Sequence, residues 1–208
     1  MPISFNLEEL RKTHNCSVYL ETGLYDPTTD ISCKKALQSR FNKVYSIEIR
    51  DDWIEMGKKI FKNDIESTRL TLIHGDSSDL GNYISSDVFN AKTLFFLDAH
   101  VDNVNIHTYK TVCPVFNELR AISELSRKDH VICIDDVRIL KTSYPWGENT
   151  YGNIRFLDTI ISEIKKINPK YEITYLDGHV KDDVLVAYIP TDVAFQRLKL
   201  HPLIRTNL

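Results

Sequence analysis

The chain has 208 residues, of which 42% are hydrophobic and 26% charged, and its formal net charge is −3 at pH 7. This slightly acidic balance, with lysines and arginines scattered along the chain, argues against a nucleic-acid partner. No apolar stretch approaches the length of a membrane span, and the first residues lack the basic and apolar regions of a signal peptide. The four cysteines form no Cys-x-x-Cys pair. We therefore expect reduced thiols, no zinc ribbon and a cytoplasmic location.

Strand and helix patterns alternate along the chain, and we expect residues 1–208 to form a single domain. Apolar runs predict strands at residues 17–21, 43–49, 69–73, 93–98, 130–135, 171–176 and 183–189. Helical spacing predicts helices at residues 28–41, 51–63, 77–84, 114–126 and 153–168. Only residues 177–182 separate the last two strands, too few for a crossover helix, so these strands should be antiparallel. The pattern predicts an α/β fold: a doubly wound, mostly parallel seven-stranded sheet with a terminal antiparallel hairpin.

Acidic residues stand at the ends of four predicted strands: Glu21, Glu48, Asp98 and Asp135. Ligands bind outside the carboxyl ends of the strands in an open parallel sheet, so these ends predict one crevice for a polar ligand. Another strand leads into Asp76, which could accept a hydrogen bond from an adenine amino group or cap the following helix. Ser77 could serve as the cap while Asp76 faces the ligand.

The first two strand ends are typical of a nucleotide-like site. In Glu21-Thr22-Gly23, the glycine lets a ligand approach the backbone, and the next helix presents free N–H groups. A plain strand-to-helix turn is the alternative. Glu48 follows one strand–helix unit later, where a carboxylate can accept both ribose hydroxyls. A solvated strand-end carboxylate is the alternative there.

The fourth and fifth strands end in carboxylates with one imidazole. Side chains alternate along an extended chain, so Asp98 and His100 should face the same side, as a metal ligand beside a general base. Asp135 and Asp136 follow an apolar strand, where adjacent carboxylates are costly unless they are paired or bind a metal. Hard oxygen donors favour Mg²⁺, Mn²⁺ or Ca²⁺ over zinc. The alternative is that Asp136 caps a turn and pairs with Arg138.

Two stretches without regular pattern, residues 101–112 and 141–152, follow strand ends at the predicted crevice. They carry Asp102, Tyr144 and Trp146, and aromatic rings on such loops could stack on a sugar or ring acceptor. Ordinary loop packing explains the same residues, and the sequence does not separate the two interpretations.

The pattern as a whole resembles the class I S-adenosylmethionine-dependent methyltransferases, over about residues 17–189. The resemblance lies in Val-Tyr-Leu-Glu-Thr-Gly on the first strand, His-Gly-Asp-Ser after the third, Leu-Asp-Ala-His after the fourth, and the closing hairpin. It implies a Rossmann-like fold. The loop after Gly23 departs from the family because it lacks further glycines. The resemblance implies that eight residues contact the methionine, ribose, adenine and methyl parts of the cofactor: Glu21, Thr22, Gly23, Glu48, Ile49, Asp76, Ser77 and Asp98.

Within that class, the strand-end aspartates resemble those of metal-dependent sugar O-methyltransferases, including small proteins of large algal viruses that decorate capsid glycans. The resemblance implies Mg²⁺ or Mn²⁺ at Asp98, Asp135 and Asp136, beside a general base. That base would be His100, with Asp98 or Asp102 as the substitute. The acceptor would be a hydroxyl of a sugar or glycan. Its binding residues would be Asp102, Tyr144 and Trp146.

The same resemblance implies a protein of the cytoplasm, or of the host cytoplasm for a viral protein, with no membrane partner. A homodimer is compatible with it, although no residue pattern specifies an oligomeric state. Catechol-type O-methyltransfer is the nearest rival. An NAD-dependent oxidoreductase would have a fuller glycine fingerprint, and a metal-dependent hydrolase would leave Glu48 and Asp76 unexplained. A non-catalytic binding module would bind the cofactor without transferring a methyl group.

Overall fold

The computed structural model describes residues 3–85, 89–99, 113–141 and 156–190. These residues form a seven-stranded sheet with the order β3-β2-β1-β4-β5-β7-β6. The strands are β1 (Val18–Thr22), β2 (Lys43–Glu48), β3 (Leu70–His74), β4 (Thr93–Leu97), β5 (Val131–Ile134), β6 (Glu172–Leu176) and β7 (Val184–Tyr188).

The pairing of the strands confirms the predicted fold. β1 pairs in parallel with β2 and β4, β2 with β3, and β4 with β5. β7 runs antiparallel to both β5 and β6. The chain is therefore an α/β protein with a mostly parallel seven-stranded sheet that closes in an antiparallel hairpin, as the short 177–182 connection predicted.

Helices connect the strands along the described segments. Among these helices, none has the length and apolar character needed to cross a membrane. They are α1 (Leu7–His14), α2 (Ser32–Gln38), α3 (Asp51–Ile60), α4 (Lys62–Glu66), a 3₁₀ helix (Ser77–Asn82), α5 (Val115–Glu124), α6 (Val137–Leu140) and α7 (Phe156–Ile167).

The α2 helix begins four residues later than the predicted start at residue 28. The preceding residues form a side-chain turn instead: Asp26 Oδ1 accepts hydrogen bonds from the backbone N–H of Thr28 at 2.9 Å and from its hydroxyl at 2.7 Å. Such local bonds compete with helix formation. The consequence is a loop at residues 23–31 that lies at the carboxyl end of β1, where a ligand is expected.

Side chains alternate across the sheet and pack into two apolar clusters, one on each face. Leu20, Phe95 and Ile132 belong to the cluster that contains residues of α5 and α7. Their neighbours Tyr19 and Phe96 belong to the cluster that contains residues of α1 and α2. β1, β4, β5 and β7 are buried along their whole length. The ends of β1, β4 and β5 are thus held on strands that are buried along their whole length.

A buried histidine in this core makes stability depend on pH. Neither ring nitrogen of His14 has a hydrogen-bond partner among the described residues, and burial, with a smaller effect of Lys92, lowers its pKa to about 4. In the unfolded chain this imidazole binds a proton near pH 6.5. The free energy of unfolding is therefore unaffected by the titration of His14 above pH 6.5, and it decreases as the pH falls towards 4 because protonation favours the unfolded chain.

We expect His14→Leu to stabilise the protein by about 1–3 kcal/mol at pH 5 and by less at pH 7.5, because leucine needs no proton and no hydrogen bond. Urea unfolding of wild type and variant at both pH values measures the difference in their free energies of unfolding. The titration of the groups that the two proteins share cancels in this difference. His179→Gln is the control, since His179 is exposed and should show no such divergence. Equal stabilisation at the two pH values would contradict the expectation.

Candidate active site

The strand register brings the predicted site residues to one edge of the sheet. Thr22 pairs with Ile47 of β2 and with Leu97 of β4, and Leu97 pairs with Ile134 of β5. Gly23, Glu48, Asp98 and Asp135 each come directly after one of these four paired residues. The chain also reverses its direction of winding between β1 and β4, which is where open α/β sheets bind their ligands.

Gly23 is required by its backbone conformation and by a close contact. Its φ of +86° lies in the left-handed region, and a Cβ atom there would lie 2.6 Å from the carbonyl oxygen of Asp98. The Asp98 N–H in turn donates to the Thr22 carbonyl at 3.2 Å. The β1 and β4 ends are therefore locked together backbone to backbone, and the glycine permits that approach.

Glu48 is a buried carboxylate that two loops orient. Its Oε2 accepts the backbone N–H of Tyr25 at 3.1 Å, and its Oε1 accepts that of Arg50 at 2.9 Å. Burial raises its pKa above the ordinary value of a glutamate. The neighbouring Ile49 is 37% exposed, an apolar side chain available to a ligand. Ribose binding by Glu48 and cofactor contact by Ile49 stay predictions, and the Glu48 carboxylate is already held in place by the two N–H groups.

An aromatic pair beside Glu48, the exposed Tyr25 and the half-buried Trp53, was not predicted from the sequence as part of the site. The Tyr25 and Trp53 rings lie 5.0 Å apart, and the Arg50 guanidinium lies 3.8 Å from the Trp53 ring centroid. Tyr25 adopts a left-handed φ of +62°, which a sequence does not reveal for a tyrosine. The pair adjoins the predicted ribose position, because the Tyr25 N–H donates to Glu48 Oε2.

The predicted adenine loop shows the capping interaction directly. Asp76 Oδ1 accepts the backbone N–H of Ser78 at 2.8 Å and so caps the 3₁₀ helix. Ser77, which we considered as the cap, is buried. The loop is fixed to the Glu48 strand end, since the Gly75 N–H donates to the Glu48 carbonyl at 2.9 Å. Adenine binding by Asp76 and Ser77 stays a prediction.

Glu21 makes its described contacts inside the sheet. It is fully buried and accepts hydrogen bonds from the Tyr19 hydroxyl at 3.1 Å and the Ser46 hydroxyl at 2.6 Å. Burial raises its pKa to about 7. Its neighbour Thr22 is also buried, and the Thr22 hydroxyl lies 3.3 Å from the Asp98 N–H. Cofactor contacts of Glu21 and Thr22 remain predictions.

Carboxylates crowd the end of β5. Oxygens of Asp135, Asp136 and Asp183 lie within 4.8 Å of one another, a group that contains Asp183 and not the predicted Asp98. Asp98 still acts on the group: burial, Asp98 and Asp136 together raise the pKa of Asp135 to about 7. The predicted alternative is present in part: Arg138 Nη1 forms an ion pair with Asp136, whereas the Asp136 side chain makes no capping hydrogen bond to α6.

Asp183 was missed by sequence reasoning. The available signal was the Asp182-Asp183 pair directly before β7, which resembles Asp135-Asp136 after β5. Four predicted residues lie outside the described residues: the general base His100 and the acceptor-binding residues Asp102, Tyr144 and Trp146.

No protein-family model and no curated protein sequence matches this chain, whereas several solved structures share its fold. The SAH-bound methyltransferase PaMTH1 from Podospora anserina matches with a TM-score of 0.54 and 17% identity, over 88% of this chain and 76% of that chain. The O-methyltransferase from Bacillus cereus in complex with SAH matches with a TM-score of 0.50 and 17% identity, over 88% and 79%. Spermidine synthase from Thermotoga maritima matches with a TM-score of 0.53 and 13% identity, over 92% and 61%. These likenesses establish the fold, and one fold can support more than one reaction.

Proposed function

We propose that this protein is an S-adenosylmethionine-dependent O-methyltransferase that methylates a hydroxyl of a sugar or glycan, with a divalent cation at the carboxylates after β4 and β5. The observation that carries the proposal is the placement of Glu48. It is a buried carboxylate, oriented by two backbone N–H groups, at the strand end beside the switch point. The two matching methyltransferase structures with bound SAH share the surrounding fold.

The geometry favours this function over the rivals. Dinucleotide-binding sheets usually have the order 3-2-1-4-5-6 with parallel strands, whereas here the antiparallel β7 lies between β5 and β6. The β1 turn also lacks the glycine-rich fingerprint of that class. A hydrolase would need the carboxylates at β4 and β5 but would give no reason for an oriented Glu48.

The cofactor would supply an electrophilic methyl group, and the protein would hold it in line with the acceptor oxygen. Glu48 would accept ribose hydroxyls, since each carboxylate oxygen can accept more than one hydrogen bond. Ile49 would cover the adenine ring, and the Asp76–Ser77 loop would border it. Alignment of the reacting atoms contributes up to about 7–11 kcal/mol to such reactions.

The carboxylates after β4 and β5 fit a divalent cation. Their donors are hard oxygens, which suit Mg²⁺ or Mn²⁺. Burial, with repulsion from Asp98 and Asp136, raises the pKa of Asp135, and a cation would offset both effects. Asp98, Asp135 and Asp136 would hold the ion, which would lower the pKa of an acceptor hydroxyl.

The proton of that hydroxyl would pass to His100, or to Asp98 or Asp102 in its place. Tyr144 and Trp146 would contact the acceptor together with Asp102. With the exception of Asp98, these residues lie outside the described segments, and their roles rest on the sequence.

Calorimetric titration with SAH and with NAD, each with and without Mg²⁺, tests the proposed cofactor. We expect SAH to bind and NAD to give no heat of binding. Binding of NAD and not of SAH would favour the oxidoreductase, and a protein that binds Mg²⁺ but neither SAH nor NAD would favour the hydrolase.

We expect Glu48→Gln to weaken SAH binding by about 10–100-fold, because hydrogen bonds to a charged group contribute about 1.5–3 kcal/mol. The amide also places a donor against one of the N–H groups that now orient Glu48. Glu124→Gln, at an exposed position of α5, should leave the SAH affinity unchanged. An unchanged affinity in Glu48→Gln would remove Glu48 from the cofactor site.

Transfer of a labelled methyl group from S-adenosylmethionine tests the acceptor and the metal. We expect label on members of a panel of mono- and disaccharides, and loss of transfer in EDTA that Mg²⁺ or Mn²⁺ restores. Label on catechol alone would support the catechol-type rival, and transfer that EDTA does not affect would contradict the role of the metal.

A further inference from the structure

Asp183 is a carboxylate without any solvent exposure, directly before β7. The antiparallel pairing of β5 with β7 explains its position. Ile134 pairs with Leu185, and two further steps along that register place Asp136 opposite Asp183. A fully buried carboxylate is costly unless donors surround it, and three donor contacts from the hairpin and from the turn after β5 reach this one.

These contacts converge on the turn that follows β5. The Asp183 carbonyl accepts the Val137 N–H at 2.8 Å, and its Oδ1 accepts the Arg138 N–H at 2.9 Å. Its Oδ2 forms an ion pair with Arg138 Nη1 and lies 3.4 Å from the Val180 N–H. Asp183 therefore holds both the backbone and the side chain of this turn.

The turn needs such support because Asp136 has a left-handed backbone. Its φ is +60° and its ψ is +39°, a left-handed conformation that is uncommon for a residue with a Cβ atom. Arg138 Nη1 also pairs with Asp136 Oδ1, so one guanidinium nitrogen joins carboxylates from β5 and from the hairpin. The orientation of Asp136 is thus tied to Asp183 through Arg138.

We propose that Asp183 and Arg138 are positioning residues that hold the turn at residues 135–138, so that Asp135 and Asp136 present their carboxylates to the cation and the acceptor. Asp183 has no exposed surface, and both of its carboxylate oxygens already accept from Arg138, so its effect on a ligand would pass through the turn. The cation in this inference rests on the proposed function, whereas the conformation of the turn does not.

A stabilising role alone would be a weak explanation of this ion pair. Buried ion pairs often contribute little to stability compared with apolar residues of similar size. Residues that orient metal ligands, in contrast, change metal affinity by about 10–100-fold when they are replaced. If the ion pair only stabilises the fold, a substitution changes the free energy of unfolding. If it positions the turn, a substitution changes the metal affinity and the conformation of the turn.

Asp183→Asn tests the proposal with little change in volume. Arg138 presents donors to both carboxylate oxygens of Asp183, and an asparagine has one oxygen and one NH₂ group, so one contact is lost in either orientation. The readouts are amide hydrogen exchange at Val137 and Arg138, and calorimetric Kd values for Mn²⁺ and for SAH. Asp182→Asn is the matched control, since its left-handed φ of +57° suits asparagine.

We expect Asp183→Asn to speed exchange of both amides by at least tenfold and to weaken Mn²⁺ binding by about 10–100-fold, with the SAH Kd within twofold of wild type. Asp182→Asn should change none of these values. Unchanged exchange would overturn the proposal, as would an equal loss of Mn²⁺ and SAH binding. If the wild-type protein binds SAH and no Mn²⁺, the metal part of the proposed function fails, and amide exchange alone decides the proposal.

Arg138→Lys distinguishes the positioning role of Arg138 from the effect of its charge. It also provides a second variant for the test if Asp183→Asn does not fold. Lysine keeps the positive charge, but it lacks the planar guanidinium with which arginine bridges two carboxylates. We expect Mn²⁺ binding at least threefold weaker than in wild type. An unchanged Mn²⁺ affinity would mean that charge alone matters and would overturn the positioning role of Arg138.

Discussion

Gly23→Ala should lower the melting temperature by about 5–15 °C and weaken SAH binding more than tenfold. An alanine at φ +86° is strained, and its Cβ would lie 2.6 Å from the carbonyl oxygen of Asp98. That oxygen belongs to the backbone, so it cannot rotate away. Relief requires the β1 and β4 ends to separate, which we expect to cost about 2–4 kcal/mol.

Gly81→Ala is the matched control for this prediction. A Cβ atom at Gly81 would meet only the Ala121 methyl group at 3.8 Å, an ordinary contact. We expect its melting temperature to lie within about 2 °C of wild type, with SAH affinity unchanged. Differential scanning calorimetry and SAH titration of the two variants provide the measurement. A Gly23→Ala protein that melts and binds like Gly81→Ala would show that the β1–β4 contact is dispensable.

The sequence predicts the strands and the crevice because both depend on local patterns. A run such as Leu-Phe-Phe-Leu before Asp98 is apolar on both faces, and a parallel sheet buries both faces. The polar residue that ends each run then falls at the carboxyl edge of the sheet. Glu48 and Asp135 could be placed in one crevice for this reason, before any contact was known.

The loop conformations could not be predicted from the sequence because they depend on short-range hydrogen bonds that compete with helix formation. Asp26 and Thr28 had the composition of a helix start, yet their side-chain turn delays α2. Tyr25 takes a left-handed φ that allows its N–H to reach Glu48, and this conformation is uncommon for a tyrosine. Neither conformation produces a periodic pattern in the amino-acid sequence.

Asp183 was missed because its partner is distant in sequence. It lies 45 residues beyond Arg138, and its contacts depend on the register of β5 with β7. A one-residue change of that register would turn Asp183 to the other face of the sheet. The pattern of apolar residues does not reveal the register of β5 with β7. The short spacing between Asp136 and Arg138 is visible in the sequence, and that pair was predicted as an alternative.

Asp135→Asn should stabilise the ligand-free protein at pH 8 by about 1–3 kcal/mol while removing the stabilisation that Mg²⁺ or Mn²⁺ provides. Burial, Asp98 and Asp136 raise the pKa of Asp135 to about 7, so its ionised form is disfavoured in the fold. Asparagine removes that charge and keeps an oxygen for the Asp136 N–H, which Asp135 Oδ1 accepts at 2.8 Å. Function and stability oppose each other at this position.

The pH dependence of this effect has a definite sign. The folded pKa of Asp135, about 7, lies above the value near 3.9 of an unfolded aspartate. The penalty of its charge is complete above pH 7 and disappears as the pH falls towards 4, so the advantage of Asp135→Asn should shrink over that range. Urea unfolding at pH 8 and pH 5, with and without Mg²⁺, measures it against Asp182→Asn. A variant that Mg²⁺ still stabilises as strongly as wild type would exclude Asp135 as a ligand. A variant that is more stable than wild type without Mg²⁺, and that Mg²⁺ does not stabilise further, would show that a cation relieves the cost of the buried, ionised Asp135.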